Sequence, residues 1–142
     1  MKGVAWAFVT LGLSGLVAAP VYAQVGSQDT RVVQLEPNYP NPFNRETTIP
    51  FTLSEDLWAN GNRPVVSVRV YNVLAQLVAV PVSSGDSRPL DGVELEWNGT
   101  GRYLAQWDGT VRGTNRRAAS GVYVCQLTVN GMTDTRRMTV IR

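Results

Sequence analysis

The 142-residue chain has no histidine and a single cysteine. Without an imidazole there is no Ser-His-Asp or Cys-His relay, and no ordinary zinc site. With Cys125 alone, no internal disulfide can form. Cys125 sits in the alternating apolar run "GVYVCQLTV", which reads as a buried, inert thiol with no base beside it to make it a nucleophile. No glycine-rich phosphate loop or haem-attachment motif is found. A basic excess is also missing: 13 Lys+Arg against 11 Asp+Glu leave +2, and Lys2 lies in a segment expected to be removed. Phosphate neutralisation needs massed cations. The groups Arg112, Arg116, Arg117 and Arg136, Arg137 read instead as solvated loop and edge-strand charge. Glu55 with Asp56, and Glu94 with Glu96, read as solvated surface, and Asp108 as a turn residue. The expectation is a chain that is not an enzyme, with no catalytic residue, no cofactor, no metal and no nucleic-acid partner.

What is present points to an exported, single-domain protein. Hydrophobic residues make up 44%, enough for one packed core and close to the globular average. The first segment, "MKGVAWAFVTLGLSGLVAAPVYAQ", opens on Lys2, continues as an uncharged apolar stretch, and ends with Pro20 and the small residues Val21 and Ala23. That is the plan of a signal peptide cleaved after residue 23. The rival is a retained membrane anchor. Gly3 to Ala19 is 17 residues, at the lower limit of about 17–25 for a spanning helix, and Gly12, Ser14, Gly15 and Pro20 weaken it. Either way, the rest of the chain is expected outside the cytoplasm, in the periplasm or at the cell surface. Residues 24–34 are polar and aperiodic, and read as a linker to a domain over 35–142.

Beyond Thr47 the pattern is period-two alternation with no helical stretch. It predicts strands at Thr47–Leu53, Val65–Asn72, Gln76–Val82, Val93–Trp97, Tyr103–Trp107, Gly121–Asn130 and Met132–Ile141. Turn chemistry separates them, and "NG" at 130–131 is a type I′ hairpin signal that makes the last two strands antiparallel neighbours. Val66, Val68 and Val70 share one face, as do Tyr123, Cys125, Leu127 and Val129; both faces are expected in the core, with Trp97 and Trp107. Seven short strands with frequent turns predict an all-β fold, a seven-stranded antiparallel immunoglobulin-like β-sandwich, preceded by an N-terminal hydrophobic helix.

The string "NYPNPFNRETTIPFTL", followed by "VRVYNVLAQLV" and "WDGT…AASGVYVCQLTVNGMTDTRRMTVIR", resembles the C-terminal sorting domain of the type IX secretion system. The same architecture is similar to the immunoglobulin-like module of the flagellar hook-capping protein. The resemblance covers about Leu35 to Arg142 and implies a bacterial source. In one respect the chain departs from that family: Ala75 stands where the family has a glycine, at a position expected to need positive φ. A sorting domain trails a large cargo, whereas about a dozen residues separate the first segment from the domain here, so the domain itself is expected to be the product.

Ahead of the first predicted strand, Pro40 and Pro42 stiffen the segment from Glu36 to Phe51 and push Tyr39 and Asn41 into extended geometry. Tyr39 and Phe43 are then expected to anchor it across one end of the sandwich, with Asn41 and Asn44 forming Asx turns. The expected function is an interaction module, an accessory or structural subunit docking on a larger envelope or membrane protein assembly. The candidate partner-binding residues are Tyr39, Phe43, Trp58, Tyr103, Arg112, Arg116 and Arg117, since Trp, Tyr and Arg dominate binding hot spots. Two alternatives stand beside it. One is a sorting or surface-attachment domain without its cargo. The other is an accessory subunit whose first helix is retained, with membrane association through residues 3–19.

Overall fold

Alternating apolar side chains become strands wherever a second strand can take up their backbone groups, and the described residues do this nine times. A computed structural model describes residues 31–142. The expected signal peptide or anchor over 1–23, and the hydrophobic helix with it, lie outside the described residues. The elements are β1 (Val33–Leu35), β2 (Thr47–Leu53), a 3-10 stretch (Glu55–Gly61), β3 (Val65–Tyr71), β4 (Leu77–Ala79), β5 (Val82–Ser83), β6 (Val93–Glu94), β7 (Arg102–Trp107), β8 (Gly121–Val129) and β9 (Met132–Val140). The protein is mostly β, in two antiparallel sheets. The first has the order β1-β2-β7-β5; the second runs β4-β3-β8-β9, with β6 also paired to β3.

The strand residues expected in the core are there. Val66, Val68, Val70, Cys125, Leu127 and Val129 are all sealed from solvent, and Ile49, Phe51, Ala105 and Trp107 meet them from the other sheet in one buried cluster. The β8–β9 hairpin turns on Asn130 (φ 50) and Gly131 (φ 84), as Asn-Gly chemistry requires. The Asn130 carboxamide oxygen also accepts the Val65 N–H at 3.0 Å, tying the hairpin to β3.

Four expectations need correction. β1 begins inside the stretch read as linker; Val33 and Leu35 are buried on either side of Gln34, an alternation too short to stand out. The strand expected over Gln76–Val82 is two strands in different sheets, because Pro81 has no N–H to continue a ladder and the chain crosses over there. The strand expected over Val93–Trp97 stops at Glu94, and Trp97 is 37% exposed rather than core. Glu55–Gly61 forms a 3-10 stretch broken at Ala59 and Asn60, opened by the Ser54 hydroxyl accepting from Asp56 N–H.

One edge of each sheet is closed by the other. The Leu35 N–H, on edge strand β1, donates to the Asp134 carboxylate at 2.8 Å, and Arg136 Nε donates to the Leu35 carbonyl at 2.6 Å. Asp134 and Arg136 share the core-side parity of β9 with Met138 and Val140. Inward-pointing charges of this kind satisfy an edge that would otherwise invite strand addition.

Candidate docking surface

The proline-rich segment folds back as a clasp. The Tyr39–Pro40 and Asn41–Pro42 bonds are both cis. Tyr39 exchanges two backbone hydrogen bonds with Thr48, at 2.9 and 2.8 Å. Behind it Asn38 is buried, its amide donating to Thr47 Oγ1 at 2.9 Å while that hydroxyl donates to the Pro40 carbonyl. Asn41 forms no Asx turn; its side-chain oxygen accepts the Thr139 N–H across the fold at 3.0 Å. Phe43 adds a short parallel rung to β9, through Phe43 N–H to Thr139 O and Ile141 N–H to Phe43 O. Its ring meets Trp107 edge-on at 5.4 Å, and Trp107 meets Tyr123 at 5.6 Å. Phe43 is 2% exposed: it anchors the clasp and presents no surface to a partner. Tyr39, expected as the second anchor, is half exposed on the flank.

At the end of the sheets where β2 and β8 finish, Trp58 and Tyr103 come together, with rings stacked at 6.2 Å. Tyr103 stacks in turn on core Phe51 at 5.6 Å, and Trp97 lies edge-on to Trp58 at 5.0 Å. Their polar atoms are committed: Trp58 Nε1 donates to the Leu95 carbonyl at 2.9 Å and the Tyr103 hydroxyl to the Glu96 carbonyl. Burial pushes the Tyr103 phenol above its ordinary value. The aromatic stack needs Gly101. A Cβ there would meet the Leu53 carbonyl at 2.4 Å and the Trp97 ring at 3.1 Å, on a backbone with φ +77. These rings mainly close the core; Trp97 is the exposed rim of the stack.

Arg112, Arg116 and Arg117 lie at the opposite end, in the connection from β7 to β8. "WDGT" begins it. Partial burial pushes the Asp108 carboxyl up, but the Thr110 hydroxyl and N–H donate to it and Arg117 stands near, so it sits below the usual carboxylate value. The Trp107 indole donates to the Thr110 carbonyl at 3.0 Å. Arg112 N–H donates to Val78 O at 2.7 Å, fastening the loop to β4. The side chains of Arg112 and Arg116 remain exposed, while Arg117 reaches the Arg45 carbonyl at 3.5 Å.

Beside this loop is a feature that the sequence reading missed. The turn from β3 to β4 holds Val73 at 76% and Leu74 at 74% exposure. It is not slack. The Asn72 side-chain oxygen accepts the N–H groups of Leu74 and Gln76, each at 3.0 Å, and Ala75 N–H donates to Asn72 O. On the outer face of the second sheet, Tyr71 pairs with Leu77 on one side and Val124 on the other. Leu77 and Val122 are exposed there, and side chains two residues apart along a strand share a face. An apolar patch therefore runs from the turn onto the sheet. The signal was available in "YNVLAQL": two branched apolar residues at the tip of a turn, where polar residues are the rule.

An open cleft of about 420 Å³ lies between the sheet edges, lined in part by Glu46, Asp91, Asp108 and Arg112. Asp91 is already bound to Arg69 at 2.6 Å. Among the described residues, no group of three or more His, Cys, Asp or Glu is placed to hold a metal ion. Among them, too, no helix is long and apolar enough to cross a membrane.

No family model and no curated protein matches the chain. One solved structure does: the Pseudomonas fluorescens alkylpurine DNA glycosylase AlkC bound to DNA containing an abasic-site analogue, with TM-score 0.46 and 16% identity. The match covers 78% of this chain and 31% of that one. The sequence pointed to no enzyme and to no nucleic-acid partner. This neighbour is an enzyme on DNA, so it runs against both expectations, and they are withdrawn. A likeness this distant assigns neither the activity nor the ligand to this chain.

Proposed function

We propose that residues 35–142 form an immunoglobulin-like β-sandwich that works as an exported interaction module, an accessory or structural subunit docking on a larger envelope or membrane protein assembly. Residues 1–23 supply the export signal, which places the module in the periplasm or at the cell surface. The resemblance of "NYPNPFN", "VYNVL", "WDG" and "SGVY" to sorting and hook-capping modules supports this reading.

The observation that carries it is the exposed Val73–Leu74 turn. Two aliphatic side chains about three-quarters exposed, on a turn locked by Asn72, stand outside the buried core of the described residues. Burying each against a partner is worth roughly 1.5–3 kcal/mol. Contiguous exposed apolar surface marks a contact site.

A photo-crosslinking residue at position 74 in the full chain, expressed in its own cell, tests the reading. One discrete adduct is expected, lost when Val73 is changed to Asp and absent when the crosslinker sits at position 86 on a polar turn. Equal, diffuse labelling from both positions would remove the docking surface.

A further inference from the structure

We propose that the partner of the Val73–Leu74 end is the opposite end of a second copy of this chain, so that copies associate head to tail. The inference rests on the reading of that end as a docking surface and names what covers it.

The two ends of the described unit carry opposite charge. Thr47 pairs with Trp107 and Tyr71 with Val124, while Phe43 joins Trp107 to Val140, so these positions mark one end. Around it stand Arg45, Arg112, Arg116, Arg117 and Arg142, all exposed. Against them are Glu46, Asp108, engaged with Thr110, and Asp91, which lines the same cleft as Arg112 and is paired with Arg69. At the other end, where Val66 pairs with Val93 and Val129, the exposed acids are Glu55, Asp56, Glu94 and Glu96. Of the acids here Glu96 is paired with Arg63, as Glu36 is with Arg102, both at 3.1 Å, and Arg31 adjoins this end through the bond from Ser54 N–H to the Val32 carbonyl, so Glu55, Asp56 and Glu94 carry the negative charge. The overall +2 conceals this division.

The separation is large enough to matter. β8 has nine residues, which at about 3.3 Å each span roughly 30 Å. That is several times the Debye length of about 8 Å at physiological salt, so the two patches do not cancel and an approaching molecule meets each by itself.

Each end also carries exposed apolar residues. Val73, Leu74, Leu77 and Ile141 are exposed at the basic end; Val65, Trp97 and Met132 are exposed at the acidic end. Tip against tip would bring two arginine clusters together. Head to tail sets an end carrying arginines and exposed apolar residues on one carrying carboxylates and exposed apolar residues, an arrangement that selects a partner and excludes like ends. Such a contact is heterologous and leaves one free end of each kind, so it extends beyond a pair.

Sedimentation of the full chain in mild detergent tests this with three proteins. These are wild type, the basic-end reversal Arg112→Glu/Arg116→Glu/Arg117→Glu, and the acidic-end reversal Glu55→Arg/Asp56→Arg/Glu94→Arg. Wild-type mean mass should rise at least about two-fold with concentration at low ionic strength and return to monomer at about 1 M salt, where the Debye length falls to about 3 Å. Each reversal alone should stay monomeric, and an equimolar mixture of the two should associate. A wild type monomeric at every concentration, association untouched by the reversals, or a mixture of folded variants that stays monomeric would each overturn the proposal. If a triple variant does not fold, the wild-type salt titration decides: association indifferent to salt overturns it. A monomeric wild type whose position-74 crosslinker still captures a discrete envelope protein would overturn self-association and leave the docking surface standing.

Discussion

Ala75 holds φ at +59, a region where a Cβ costs roughly 1–2 kcal/mol relative to the right-handed conformation. The resemblance had marked this position as one for glycine, and the turn geometry agrees. Ala75→Gly should therefore stabilise the fold, by up to about 1 kcal/mol after the greater freedom glycine has in the unfolded chain is allowed for. A urea midpoint that moves up would show it; a midpoint that moves down would mean the turn relaxes in solution. Cys125 answers a different question at the same scale. Burial pushes its thiol from 9.0 up to about 12. The raised value means that stability from keeping the thiol neutral is complete below pH 9 and is lost as pH climbs toward 12, because the unfolded thiol ionises first. In neutral buffer, alkylation of Cys125 should follow global unfolding; fast labelling of native protein would place the thiol at the surface.

Among the elements, the clasp is the one whose chemistry was half legible. Its prolines and aromatics announced a pre-ordered segment, but alternation says nothing about which aromatic turns inward. That was decided by β9, where Thr139 donates its N–H to the Asn41 side chain and accepts the Phe43 N–H at its carbonyl. Phe43→Ala should cost about 3–5 kcal/mol, as for other buried aromatic rings, whereas Tyr39→Ala, at a half-exposed ring, should change the midpoint little. Chemical denaturation of the two variants side by side checks this, and equal losses would contradict it. The strands β3 and β8 were readable because each buries alternate residues over most of its length, and β2, β7 and β9 because alternation covers part of each. β1 and the split between β4 and β5 were not, since a three-residue strand and a sheet crossover at Pro81 depend on neighbours distant in sequence. Trp97 was misread for the same reason: the ladder stops at Glu94, and its ring is left on the rim beside Gly101.

On the largest scale, the described residues form a two-sheet body with unlike ends. The arginine loop was visible in the sequence, but composition alone averaged its charge against acids roughly 30 Å away. The apolar turn was passed over because Val73 and Leu74 fell between the expected strands Val65–Asn72 and Gln76–Val82, and only the folded turn beyond Tyr71 reveals both as exposed. The central claim is that this turn is covered when the protein is at work. Covalent footprinting of the full chain with a short-lived carbene, in isolated native envelopes and again as purified dilute protein, measures that directly. The account predicts that Val73 and Leu74 are labelled heavily in the dilute protein and are strongly protected in the envelope, while the polar turn at Asp86 is labelled alike in both. Equal labelling of Val73 and Leu74 in the two preparations would contradict it.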